Sequence, residues 1–184
     1  MKPIRFLFLL PLSWCFLSSV AQAEPAAWLS VTAGPAWLRD HGSDWGQNGL
    51  LEVSSGLGTS PFKPLVFGGI IRTSTFIGSG TDLSLLARGT TRGYALGDWG
   101  GALDLGGYER FWGQASAGFT GSLSLGAPFG IVAALGGQIG TGSTHGLTAT
   151  LGFDFARLTV FRTSGENWWK NPFPPSGETQ AKGP

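Results

Sequence analysis

The stretch Ala115-Ser116-Ala117-Gly118-Phe119-Thr120-Gly121-Ser122-Leu123-Ser124-Leu125 divides cleanly in two. Ala115, Ala117, Phe119, Gly121, Leu123 and Leu125 fall on one face. Ser116, Gly118, Thr120, Ser122 and Ser124 fall on the other. Side chains of an extended chain flip faces at each residue, so strict alternation is the mark of a strand; a helix would mix the two sets. The run of eleven residues also exceeds the ~5–6 residues usual for globular strands. It equals the ~9–11 that a tilted strand needs to cross a bilayer.

Working outward, residues 147–155 repeat the pattern. Leu147, Ala149, Leu151, Phe153 and Phe155 alternate with Thr148, Thr150, Gly152 and Asp154. The phase shifts near Ala156, which suggests a bulge or a membrane boundary. Leu29, Val31 and Ala33 alternate with Ser30, Thr32 and Gly34 in a first strand. Leu51, Val53 and Leu57 alternate with Glu52, Ser54 and Gly56 in a second. Residues 65–77 form a third strand, apolar on both faces until Arg72, with no clear register. Leu83, Leu85 and Ala87 oppose Asp82, Ser84 and Arg88, with Leu86 breaking the pattern. Trp99, Gly101, Leu103 and Leu105 oppose Gly100, Ala102, Asp104 and Gly106. Ile131, Ala133, Leu135 and Ile139 oppose Gln138. The total is eight strands. Turn chemistry separates them: polar residues 40–49, prolines within 59–64, Gly78-Ser79-Gly80, a weaker break at 92–97, an aromatic loop at 107–113, Gly126-Ala127-Pro128-Phe129-Gly130, and a Gly/Ser/Thr-rich segment at 140–145. An even strand count fits an antiparallel up-and-down barrel.

The first residues read as an export leader. Lys2 and Arg5 precede an apolar run, and Ala21-Gln22-Ala23 gives the small-x-small pattern of a cleavage site, so residues 1–23 are expected to be a signal peptide. The expected mature chain of 161 residues is one domain's worth. It has lost Cys15, the only cysteine, and carries ten Lys and Arg against eleven Asp and Glu. No basic field holds nucleic acid. Two histidines and no mature cysteine speak against a structural zinc site. Residues 164–184 form a distinct Pro- and aromatic-rich tail, expected to be disordered and periplasmic, in which Trp168, Trp169 and Phe173 are candidate docking groups for an envelope partner or the membrane interface.

Alternation does not say which face is outside; charge does. Only 12% of residues are charged, where a soluble surface carries about 25–35%. After the leader no stretch reaches the ~18 apolar residues of a membrane helix. A closed barrel is the other fold that satisfies its backbone in lipid. The apolar faces are therefore assigned to lipid and the Ser/Thr/Gly faces to a lumen. Glu52, Arg88, Asp104 and Asp154 sit on polar faces of different strands, and Arg72 joins them if the third strand is in matching register. Eight strands enclose a lumen just wide enough for side chains to fill. Buried charges are costly unless paired. These five are expected to form an ion-pair network that plugs the barrel. Trp28, Trp37, Trp99, Phe111 and Trp112 lie near strand ends, where rings favour the headgroup level.

No catalytic constellation emerges. Ser122-x-Ser124-x-Gly126 lacks the first glycine of a nucleophile elbow and lies in a regular strand. Asp40-His41-Gly42-Ser43-Asp44 gathers acid, base and hydroxyl, but neighbours in a flexible loop rarely hold the fixed geometry of a triad. Thr144-His145 lies in another loop with no motif around it. Gly56-x-Gly58 and Gly140-x-Gly142 precede no helix and are read as bends and turns, not nucleotide sites. No catalytic residue, metal ligand or cofactor site is assigned.

From the leader to about Arg162 the chain resembles the small eight-stranded outer-membrane β-barrel proteins. The resemblance is carried by Ala21-Gln22-Ala23 and the alternating strands 115–125 and 147–155. It implies an all-β transmembrane barrel over residues 24–163 in a Gram-negative outer membrane, in contact with outer-membrane lipids. Such proteins usually end at an aromatic residue of the last strand. Phe161 stands in that place, but more than twenty residues follow it. The family spans structural anchors, adhesins and lipid-modifying enzymes, so fold does not fix activity. Three functions stay open: a non-enzymatic barrel with a plugged lumen serving envelope structure or interaction; a lipid-modifying barrel enzyme dependent on His145 or His41; and a soluble periplasmic barrel carrying an apolar ligand.

Overall fold

Period-two segments flanked by glycine and proline become strands wherever they occur. The computed structural model describes residues 25–40, 43–113 and 115–159. The expected leader, His41, Phe161 and the tail with Trp168, Trp169 and Phe173 lie outside them. Eight strands are present among the described residues: β1 (Ala26–Arg39), β2 (Gly46–Gly58), β3 (Leu65–Phe76), β4 (Gly80–Thr91), β5 (Gly100–Arg110), β6 (Ser116–Gly126), β7 (Ile131–Gly140) and β8 (Thr144–Asp154). Each pairs antiparallel with the next, and β8 returns to β1, closing an up-and-down barrel. Closure leaves no unpaired sheet edge.

Register decides what enters the lumen. Arg72 of β3 pairs with Ser54 of β2 and Ser84 of β4, both inward, and is itself buried. The register left open by the apolar third strand is thereby fixed. Leu86 points inward as parity requires; it breaks the polar pattern because it belongs to an apolar cluster inside the barrel. The outward positions carry Leu, Ile, Phe and Val on every strand pair, with Phe119 79% and Leu85 70% exposed.

Three expectations need correction. The segment 107–113 is not all loop: β5 runs to Arg110, because Tyr108 and Arg110 continue the inward parity. Likewise β2 begins at Gly46, inside the polar stretch assigned to a loop. Beyond Asp154 there is neither bulge nor continued strand; the chain turns into a short helix, α2 (Phe155–Thr159). The weak break at 92–97 holds another, α1 (Arg92–Ala95). Thr91 caps α1: its Oγ1 accepts from Tyr94 N at 3.3 Å, satisfying a donor that a helix start leaves orphaned, and also from Gly101 N of β5 at 3.1 Å. Both helices lie at the end of the barrel where β1 begins and β8 finishes, hereafter the lower end. No helix among the described residues is long and apolar enough to cross a membrane, which says nothing of strands.

Candidate functional site

The lumen is the feature the strands build together. Inward residues lie at three levels. At mid-height, Arg88 of β4 grips Asp104 of β5 with two parallel bonds, Nε to Oδ1 at 2.7 Å and Nη2 to Oδ2 at 2.8 Å. The two residues face each other directly in the β4–β5 ladder. Arg72 reaches the same carboxylate from β3, donates to Ser122 Oγ at 2.9 Å, and touches Ser54 Oγ through Nε at 3.3 Å. Ser122 in turn donates to Asp104 Oδ2 at 3.2 Å. One carboxylate thus serves two guanidiniums and a hydroxyl, with Asp104 completely buried. Bidentate Arg–carboxylate geometry is the strongest form of such a contact.

Of the five sequence candidates, Arg72, Arg88 and Asp104 are brought together. Glu52 has no cationic partner among the described residues. Its carboxylate accepts from Ser74 Oγ at 3.0 Å and Thr150 Oγ1 at 3.5 Å. Asp154 is separate too. It closes the lower end, where Oδ1 accepts from the backbone N–H of Leu29 at 3.3 Å and of Arg157 at 3.2 Å.

A second cluster seals the upper end. Arg110 forks onto Asp82 with Nε and Nη2, both at 3.1 Å, and reaches Asp40 with Nη1 at 2.8 Å. Trp112 Nε1 donates to Asp82 Oδ1 at 2.8 Å, and the Arg110 guanidinium lies 4.4 Å from the Trp112 ring centre. Phe76, Leu38, Leu50 and Ala36 pack beneath. Sequence reasoning placed Asp82 on the polar face without nominating it. It missed Arg110, because that residue was assigned to a loop where parity was not applied.

A third cluster seals the lower end. Arg157 of α2 is completely buried and donates to four backbone carbonyls: Tyr94 at 2.7 Å, Asp98 at 2.9 Å, Ala127 at 3.2 Å and Ile131 at 3.3 Å. Its guanidinium stacks 4.4 Å from the Tyr94 ring centre. Burial pushes the Tyr94 phenol above its usual range and lowers Arg157 from its own. Above this plug sit Ala26, Trp28, Val66, Ile70, Leu86 and Ala102. The ring of Trp28 lies 5.3 Å from the Arg88 guanidinium. Trp28 and Trp112 therefore face inward, against the expectation that they mark the headgroup level. Trp99 and Phe111 stand out into the surroundings, at 72% and 65% exposed.

Among the described residues, buried arginines and buried carboxyl groups are equal in number. Arg72, Arg88, Arg110 and Arg157 stand against Glu52, Asp82, Asp104 and Asp154. What space remains beside Glu52, Arg72, Ser74 and Gln138 amounts to about 10 Å³, roughly one water. Among the described residues, inward side chains fill this level of the lumen.

The motifs weighed for chemistry resolve as follows. Ser122 and Ser124 face the lumen and are buried. Asp40 is engaged by Arg110. Thr144 is buried, while His145 lies on the outward face beside Arg39. No group of three metal-ligating side chains occurs among the described residues. No family model matches the chain, and neither a curated protein nor a solved structure shows significant similarity to it.

Proposed function

We propose that this chain is an outer-membrane barrel whose plugged lumen makes it a non-enzymatic element of envelope structure or interaction. One observation carries the reading: the outward face is an apolar belt. Leu57, Leu65, Phe67, Ile71, Leu85, Leu103, Leu105, Phe119, Leu123, Leu125, Leu135 and Leu151 are each exposed. Exposed patches beyond a few hundred Å² are rare on soluble monomers. Among the described residues, the outward strand positions carry charge only through Arg39 and Glu109, with His145 beside Arg39, all near the upper ends of their strands. A polar interior with an apolar exterior is the inverse of a soluble barrel and the arrangement lipid favours. The filled lumen argues against a soluble carrier, which needs an internal cavity.

The test is fractionation of the expressed protein, then electrophoresis with and without boiling. Recovery in the outer membrane with a heat-dependent shift in migration is expected. Release with soluble periplasmic contents, with no detergent required, would falsify the reading.

A further inference from the structure

Among the described residues, two outward glycines of the apolar belt face each other at one place. Gly121 of β6 and Gly137 of β7 face each other across the ladder, and both take outward parity, between inward Thr120, Ser122 and Gln138. The missing side chain leaves a hollow over Gly137, while Leu105 leans over Gly121, where an added Cβ would come within 2.8 Å of its Cδ2. Leu105 and Leu147 flank it in the same cross-strand row, Phe119 and Ile139 stand in the row above, and Trp45 completes the wall. The groove measures about 840 Å³, within the ~300–1,000 Å³ of ordinary ligand sites. Its polar groups are concentrated at its upper edge. There Arg39 and His145 are direct cross-strand partners, and His145 also faces Ile139. Arg39 is exposed and forms no ion pair among the described residues; its Nε donates to the Ser43 carbonyl at 3.1 Å.

We propose that this groove holds one acyl chain of a phosphate-bearing lipid, with the phosphate engaged by Arg39 and His145. The inference rests on the membrane reading above. An apolar channel with cationic and N–H donors at one end alone matches an occupant with an apolar chain and an anionic head. Guanidinium recognises phosphate through two parallel N–H bonds, and attraction to anionic headgroups adds to burial of the chain. Elsewhere the belt meets lipid as bulk solvent. Here the missing side chain at Gly137 lets a chain sink between two leucines, a phenylalanine and an isoleucine.

At Gly137 the backbone of the groove floor has room for a Cβ. A side chain begun at Gly137 meets nothing nearer than the Gly146 carbonyl at 3.7 Å. Gly69, outward on β3 away from the groove, is equally open, at 3.9 Å from the Leu86 carbonyl. The full chain in detergent micelles is titrated with phosphatidylglycerol or with dioleoylglycerol, which lacks the phosphate, and bound lipid is counted by native mass spectrometry. The expected result is one retained phosphatidylglycerol, about tenfold less retention in Gly137→Trp, and unchanged retention in Gly69→Trp. Arg39→Gln lowers phosphatidylglycerol retention to that of dioleoylglycerol. Equal retention by Gly137→Trp and the parent protein overturns the proposal, as does equal retention of the two lipids. A dimer that Gly137→Trp abolishes also overturns it, assigning the groove to a second copy. If the protein proves soluble without detergent, it is the membrane reading that has failed, and that shows in fractionation before any lipid is added.

Discussion

Asp104 is the residue on which the mid-level network turns. It accepts from Arg72, Arg88 and Ser122 at once. Removing it leaves two buried guanidiniums without their counter-charge. Breaking a buried ion pair from one side costs about 3–5 kcal/mol, whereas replacing all members by apolar groups of similar volume is often neutral or stabilising. Asp104→Ala is expected to lose stability of that order in urea unfolding of the folded barrel. Combining Asp104→Leu with Arg72→Met and Arg88→Met is expected to restore most of it. A triple variant as unstable as the single one would show that the network supplies more than compensated charge. Parity made Arg88 and Asp104 legible as inward residues; it did not show that Glu52 would meet hydroxyls instead of an arginine. That depended on which strands lie within reach across the lumen.

At the scale of elements, α2 is the unexpected piece. It lies across the lower end, and Arg157 ties it to carbonyls of the β4–β5 connection at Tyr94 and Asp98 and of the β6–β7 turn at Ala127 and Ile131. Two of these carbonyls also accept from the backbone, Tyr94 O from Gly97 N at 3.3 Å and Ile131 O from Ala127 N at 2.9 Å. Hydrogen bonds to a charged donor contribute about 1.5–3 kcal/mol. Arg157→Ala is expected to speed amide hydrogen exchange at residues 92–98 and 127–131 while mid-strand amides keep their protection. Uniform loss of protection across the barrel would mean that α2 belongs to the folding core and is not a cap. The sequence signal for α2 was the phase shift near Ala156, compatible with bulge, boundary or helix alike. Leu86 and Trp28 were opaque for a related reason: a polar lumen was assumed along its whole height, whereas its lower end is an apolar plug. The β1–β8 seam shows the same dependence on packing. At Gly152 a Cβ would run into the Val31 carbonyl of the neighbouring strand, so a residue that reads in sequence as a mere break in polarity is required for closure.

For the whole molecule, three levels of inward side chains stack along the lumen. Trp112 and Arg110 close the upper end, the Arg72–Asp104–Arg88 group fills the middle, and Tyr94 with Arg157 closes the lower end. The chain reconstituted in planar bilayers is expected to give no stable large conductance. Long-lived open levels of nanosiemens size, on the order of those of an aqueous porin channel, would rule out the plugged lumen. Among the described residues the outward strand positions are largely apolar, and the buried arginines and buried carboxyl groups are equal in number.

The sequence by itself determined the number of strands and, outside the third strand and the upper end of β5, the face each residue takes, because side-chain direction in an extended chain has a fixed period of two and turn residues punctuate it. It also showed how few charges the polar faces carry. The tertiary structure alone decided the pairings within the lumen, the two end plugs and the groove on the outer wall. Those depend on the cross-strand register and on distances across a closed ring, and residues as far apart in sequence as Arg110 and Asp40, or Arg157 and Tyr94, become neighbours only once β8 has closed on β1.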